Sequence, residues 1–373
     1  MNIVCLSASF VPSETANSIQ MVKAVHALAQ LGHDVTLIVP ESQQKSSIEE
    51  LQSFYGLSTP FKIEHLRSAS RRRFFWDAVR RAVRIHPDLV YTWVPQSAVY
   101  ALIHHLPVIL ELHDLPSGLA GPWWYRLFLW IPGRKRMLVI TCALRDALEK
   151  GYRKHLAPEN VILAPNGIEP ERFENLPPPQ LARRQLGLAE ASTIVCTGHL
   201  YAGRGVELFV DLAKAIPEAQ FVWVGGKSED VASWKERSAQ QSNVTFIGFI
   251  PNDRLPLYQA AADILLMPYG KVIGVSSGGG NSAAISSPLK MFEYLAAGRA
   301  IVTSDLLVFH EVLNEQNAVF CQPEDTPAWI ASVRDLLGDP NRRAALASQA
   351  SQDSLGYSWT ERAKRALIGF LDI

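Results

Sequence analysis

With 373 residues, of which 48% are hydrophobic and 19% charged, the chain is longer than one ordinary hydrophobic core accommodates, and two domains with sizeable cores are expected. Its 36 basic and 36 acidic side chains leave a formal net charge of zero, which excludes a global pull toward nucleic acid and leaves any anion binding to local charge. The four cysteines, Cys5, Cys142, Cys196 and Cys321, lack metal-ligand spacing and predict buried thiols in a reducing cytoplasm.

Residues 3–6 form an apolar run that predicts a buried strand, and no charged leader precedes it, so no secretory signal is expected. Over residues 20–31, Val22, Val25, Leu28 and Ala29 share one helical face, Gly32-His33 ends the helix, and 35–39 predict the next strand. This β-α-β order is the unit of a parallel sheet. Asn17 and Ser18 stand where that helix opens, as N-cap residues or as contacts to phosphate or acceptor. Segment 67–84 carries Arg67, Arg71, Arg72, Arg73, Arg80, Arg81 and Arg84 against Asp77 alone, with Phe74, Phe75, Trp76, Val79 and Val83 between them. Such a basic amphipathic helix either turns its apolar face to the core and its arginines to water, or meets anionic lipid headgroups, at about 1 kcal/mol per basic residue. Strands are predicted at 88–91 and 108–112, with a helix from Ser97 between them. The aromatic stretch 123–128 suits a membrane interface, yet the apolar run 123–131 is too short to cross a bilayer and contains Arg126. A strand at 138–141, a helix at 143–150 and a strand at 161–163 follow, ending at Pro165-Asn166-Gly167, whose first reading is a turn.

Residues 169–180, rich in Glu and Pro, read as a linker. Beyond it the pattern repeats: strands at 193–197, 220–224, 244–246, 264–267 and 318–320, with helices at 206–215, 254–262, 328–337, 341–354 and 360–370. The expected architecture is α/β, with two facing Rossmann-like domains and a cleft between them: residues 1–168 on the acceptor side, 169–356 on the donor side, and 357–373 packing back on the first.

The densest information lies at 287–305. Pro288 opens and Gly298 closes a helical pattern in which Leu289, Phe292 and Leu295 fall on one face, and Ile301-Val302 begins a strand. The free N–H groups of a first helical turn hold anions, Lys290 adds positive charge, and Glu293 stands one turn further in, where a carboxylate can accept from ribose hydroxyls. This combination is suited to a nucleotide diphosphate.

Taken in order, Gly32-His33-Asp34-Val35-Thr36, Glu111-Leu112-His113-Asp114, Pro165-Asn166-Gly167-Ile168, Gly198-His199-Leu200 through Arg204-Gly205, and Ser287-Pro288-Leu289-Lys290 with Glu293 resemble the retaining, nucleotide-sugar-dependent glycosyltransferases of family four, with the GT-B fold. The resemblance runs from Ser7 to the last helix. It implies transfer of a sugar from a nucleotide diphosphate donor to an acceptor hydroxyl with retained anomeric configuration, no metal, and departure and attack on one face without a protein base. It places Arg204 and Lys290 on the diphosphate, His113 on the donor sugar, Glu293 on the ribose, and His199, Ser287, Pro288 and Leu289 around the donor. Three positions depart from the family pattern: Ile285 stands where a first glutamate is usual, His199 replaces an arginine, and Ala16-Asn17-Ser18 stands where two glycines are usual. Backbone around Gly279, Gly280 and Asn281 can make the contacts that Ile285 cannot.

A UDP-hexose, glucose first, is the preferred donor, with GDP-mannose the alternative; the acceptor is a glycan or lipid-linked glycan of polysaccharide biosynthesis. The site of action is cytoplasmic, peripheral on the inner face of the cell membrane if the Arg67 to Arg84 segment binds lipid; no nucleic-acid partner is expected. A non-catalytic nucleotide-sugar-binding protein is the other surviving reading, separated by donor turnover. A nicotinamide dehydrogenase is excluded because no glycine occurs between Leu6 and Leu31 to form the phosphate-binding turn.

Overall fold

The computed structural model describes residues 1–42, 46–272 and 283–370. The chain forms two compact units: Met1–Asn166 together with Trp359–Ile373, and Gly167–Ser358.

The first unit holds β1 (Asn2–Leu6), β2 (Asp34–Pro40), β3 (Lys62–Leu66), β4 (Leu89–Thr92), β5 (Val108–Leu112), β6 (Lys135–Val139) and β7 (Val161–Leu163). They make one seven-stranded sheet in the order β3-β2-β1-β4-β5-β6-β7, with every pairing parallel. Parallel strands carry crossover helices on their faces, so central strands must be apolar on both sides, and β4 and β5 are buried at every position. The second unit repeats the scheme with β8 (Thr193–Thr197), β9 (Gln220–Val224), β10 (Val244–Gly248), β11 (Ile264–Met267), β12 (Ala300–Ser304) and β13 (Val319–Cys321) in a six-stranded sheet ordered β10-β9-β8-β11-β12-β13. Its core centres on Phe209, Phe221, Trp223, Phe246 and Trp329.

Several elements differ from the sequence reading. Strand β6 begins at Lys135 rather than 138, because its first residues pair with β5 despite their charge. The expected linker, 169–180, runs into an unexpected helix, Pro179–Leu186, whose Ala182 packs against Ala260 and Ala261. The helix at 16–30 starts at Ala16 with Thr15 as N-cap, so neither Asn17 nor Ser18 caps it. The Arg-rich helix spans Arg71–Ile85, capped by Ser70, and Arg67 lies outside it. It buries Phe74, Ala78, Val79 and Ala82, and Trp76 packs edgewise on Tyr100. Its apolar face is therefore spent inside the protein, while Arg71, Arg72, Arg73, Arg80 and Arg84 face solvent.

The last helix, Trp359–Leu367, belongs to the first unit. Arg136 donates to the carbonyls of Ala366 (2.8 Å) and Ile368 (2.9 Å), satisfying groups that a helix C-terminus leaves open. Arg362 is buried, donating to the carbonyls of Ala164 and Pro165 and pairing with Glu111 at 2.7 Å. Burial alone would push the Glu111 carboxyl up, but Arg362 and His113 outweigh it and hold the group well below the ordinary carboxylate range. Because its folded value is depressed, this carboxylate stabilises the fold fully above its unfolded pKa, about 4.3, and loses that contribution only as pH falls toward the folded value. Arg362→Met leaves Glu111 buried without its cation. A loss of about 3–5 kcal/mol at neutral pH is expected by urea unfolding; a loss under 1 kcal/mol would show that the pair does not hold the terminal helix.

Candidate functional site

In the second unit the structure brings Arg204 and Lys290 together around one ring. The Arg204 guanidinium donates to the Tyr269 hydroxyl at 2.8 Å and lies 5.0 Å from that ring's centroid, and Lys290 Nζ lies 5.0 Å from the same centroid. Lys290 is buried, with Trp223 5.8 Å away and Cys196 Sγ at 3.8 Å. Burial pushes the Cys196 thiol up, and the opposing pull of Lys290 does not reverse this, so the sulfur brings no negative charge. Among the described residues neither cation joins an ion pair. Two basic groups thus share an aromatic wall, an arrangement suited to an anionic ligand.

Backbone geometry sets these positions. Lys290 is the second residue of the helix Leu289–Ala297, whose N-cap, Pro288, provides no side-chain cap. The first turn therefore keeps N–H groups and the positive helix end for an anion beside the ammonium. Ser287 is buried immediately before it. Arg204 lies in a loop closed on Pro268: a Cβ at Gly205 would stand 1.8 Å from the Pro268 carbonyl oxygen, and its φ is +80°. Gly270 N–H donates to the Gly203 carbonyl at 2.9 Å, fastening the other side of the loop. The His199 ring stacks on Tyr201 at 4.8 Å in the loop after β8.

Glu293, one turn beyond Lys290, is partly occupied by protein. Gln259 Nε2 donates to it at 3.2 Å, and Arg172 approaches to 4.0 Å while also facing Glu169 at 3.5 Å. Sequence reasoning gave no signal for Arg172 or Gln259, which are far from Glu293 in the chain. Ile285 is buried, consistent with an apolar role where the family has a carboxylate.

The first unit contains a separate polar constellation at the carboxyl end of β5. His113 Nε2 lies 2.5 Å from Glu111 Oε1, and its side chain is 21% exposed. Gln20 Nε2 donates to the same oxygen at 2.5 Å, and Tyr91 donates its hydroxyl proton to Oε2. Ser18 departs from its expected role: it is fully buried, donates to the Phe10 carbonyl at 3.0 Å and shares a 2.7 Å bond with Tyr55. Spent on these partners, it cannot meet a ligand. Asn17 is exposed on the first helical turn. Gly279, Gly280 and Asn281 lie outside the described residues. Among the described residues no three His, Cys, Asp or Glu side chains cluster as a metal site.

Two family models match the chain: Glycosyltransferase Family 4 over residues 19–172 and Glycosyl transferases group 1 over residues 191–339. The chain belongs to this glycosyltransferase family. It is 26% identical over 179 residues to the alpha-galactosylglucosyldiacylglycerol synthase of Streptococcus pneumoniae, covering 44% of this chain and 46% of that one. Against the glycogen synthase of Mycobacterium tuberculosis it is 26% identical over 291 residues, 70% of this chain and 64% of that one. The chain spans about half the length of the curated relatives first matched. Anabaena HepE in complex with UDP and glucose superposes with a TM-score of 0.76 at 16% identity over 100% of this chain and 99% of that one. A glycosyltransferase of Rickettsia africae gives 0.75 at 12% identity over 99% of each. These likenesses establish the GT-B fold.

Gly205→Ala tests the Arg204 loop, since the added methyl meets a backbone oxygen in a left-handed conformation. A loss of about 2 kcal/mol or more is expected by thermal or urea unfolding. Parent-like stability would mean that the loop does not close on Pro268.

Proposed function

We propose that the protein transfers a hexose from a nucleotide diphosphate sugar to a hydroxyl of a glycan or lipid-linked glycan, with retained configuration and without a divalent metal. The observation that carries this reading is the pair Lys290 and Arg204, charged, unpaired among the described residues, and set beside an uncapped helix N-terminus. As the sugar departs, charge accumulates on the diphosphate, and fixed cations in a partly desolvated site stabilise it without reorganising. They supply the neutralisation that a metal supplies elsewhere, which supports metal independence. Glu293 accepts from the ribose, with His199, Ser287, Pro288 and Leu289 around the donor and His113 hydrogen-bonding the sugar. UDP-glucose is the preferred donor, supported by the UDP- and UDP-glucose-bound HepE structures. GDP-mannose is the alternative, the donor named for a mannosyltransferase relative of Mycolicibacterium smegmatis.

UDP release from a panel of nucleotide sugars, with chelator present, tests this reading. Lys290→Ala and Arg204→Ala are each expected to lower turnover roughly a hundredfold. Variants within twofold of the parent, or activity that appears only when magnesium or manganese replaces chelator, would refute it.

A membrane-facing acceptor is part of the same proposal, at the inner face of the cell membrane. The arginines of the Arg71–Ile85 helix supply exposed positive charge, and exposed aromatics stand on the helix Gly121–Trp130, where Trp123 is 54% and Trp130 67% accessible. The two helices are linked by rings, Trp76 on Tyr100 and Tyr100 on Trp124. No described helix is long and apolar enough to cross a membrane, so the contact would be peripheral. Co-sedimentation with anionic vesicles is expected at low salt and lost at 1 M salt, where the Debye length is about 3 Å. It should weaken on charge reversal at Arg71, Arg72 and Arg73 and on Trp123→Ala. Equal binding to neutral vesicles, or none to anionic ones, would leave a soluble glycan as acceptor.

A further inference from the structure

His113 is the only side chain of the Glu111 constellation with appreciable exposure; every partner around it is buried. Glu111 is the penultimate residue of β5, near the carboxyl ends of the strands, where open α/β folds bind ligands. Its carboxylate receives Arg362 at 2.7 and 3.2 Å, Gln20 at 2.5 Å and the Tyr91 hydroxyl, so it has no freedom to rotate. Arg362 is in turn fixed by the carbonyls of Ala164 and Pro165. These donors come from the first helix, from β4 and from the terminal helix. A buried ion pair needs its remaining lone pairs filled, and Gln20 and Tyr91 do this from the interior beside Arg362. Here the carboxylate is fully coordinated and still directs one oxygen at an imidazole whose other nitrogen makes no hydrogen bond among the described residues.

We propose that Glu111, locked by Arg362, is a positioning residue that takes the Nε2–H of His113 and so presents Nδ1 as a hydrogen-bond acceptor toward a sugar hydroxyl. A carboxylate accepts only, so a neutral imidazole bonded to it through Nε2 must carry its proton there. Nδ1 then holds the lone pair, and the ring is held against rotation. The residue that fixes this geometry lies 251 positions from Glu111 in sequence. The terminal helix thus contributes to the sugar-contact residue as well as to the fold. This inference rests on the sugar-contacting role assigned to His113 above.

The test reads the tautomer directly. The full chain is labelled with 15N-histidine, the His113 signals are assigned by their loss in His113→Ala, and one-bond and long-range couplings report which nitrogen carries the proton. The single variant Glu111→Leu leaves Arg362 buried without its anion, so the double variant Glu111→Leu with Arg362→Met removes both charges and keeps a folded comparison. The parent is expected to show a single Nε2–H tautomer at pH 8, and the double variant a mixture of both. With UDP-glucose as probe, turnover in the double variant should fall tenfold or more, while UDP affinity, measured by calorimetry, stays within twofold. A parent already mixed, or a folded double variant whose His113 signals match the parent's, overturns the proposal. If the parent turns over no nucleotide sugar, the transfer reading fails, and the tautomer result still decides the role of Glu111.

Discussion

The buried pair between Glu111 and Arg362 is the constraint from which the first unit's organisation follows. Taking a carboxylate and a guanidinium out of water costs several kcal/mol each, which their attraction offsets only when every remaining hydrogen-bonding position is filled. Here those positions are filled: the guanidinium reaches two backbone carbonyls as well as the carboxylate, and the carboxylate collects Gln20, Tyr91 and His113. Ala164 and Pro165, where the chain is about to leave this unit, and Arg362, just after it returns, are therefore tied at one point. In the second unit, Ile168 N–H donates to the Tyr357 carbonyl at 2.8 Å, so the outgoing and returning segments run side by side.

The second unit solves the opposite electrostatic problem. Among the described residues, Lys290 and Arg204 are not paired with carboxylates. Tyr269 and Trp223 offer ring faces instead, which attract a cation weakly compared with a carboxylate and leave most of its field available. The nearby acid, Glu293, is turned toward Gln259 and Arg172. The glycine at 205 allows the Arg204 loop to approach Pro268 closely. The same logic explains Gly198, where a Cβ would stand 3.3 Å from the Lys290 ammonium.

Much of this fold is legible in the sequence because parallel strands are apolar on both faces. Runs such as 108–112 and 264–267 announce themselves without a partner, and the 287–305 stretch carries its helix start, helix stop and following strand locally. The edge strand β3 does not: residues 62–66, Lys-Ile-Glu-His-Leu, lie at the sheet margin, mostly unburied, so no apolar run marks them. The Pro179–Leu186 helix was hidden by the prolines before it, which read as a linker although a proline also suits a helix's first turn. Arg362 and Gln20 were hidden for another reason. Their importance comes from Glu111, at separations of 251 and 91 residues, and nothing local distinguishes a buried arginine on an amphipathic helix from a solvated one. Local patterns name Lys290 and Arg204; only the folded chain names what holds His113.

The Arg71–Ile85 helix shows how one composition supports two physical outcomes. Its composition allows either a core-facing apolar side or a surface for anionic headgroups; Phe74 is buried, and Trp76 meets Tyr100 edge-on and His104 at a tilt. Phe74, already desolvated in the core, gains nothing further by entering a bilayer, and the residues this helix leaves exposed are all arginines. Exposed apolar area is displaced to the Gly121–Trp130 helix, where Trp123 and Trp130 lie a helical face apart from the buried Tyr125 and Phe128. On that helix Trp123 and Trp130, seven residues apart, share a stripe with Arg126, and Lys154 covers the Trp130 ring at 4.2 Å. Exposed positive charge and exposed aromatic area thus lie on two different helices.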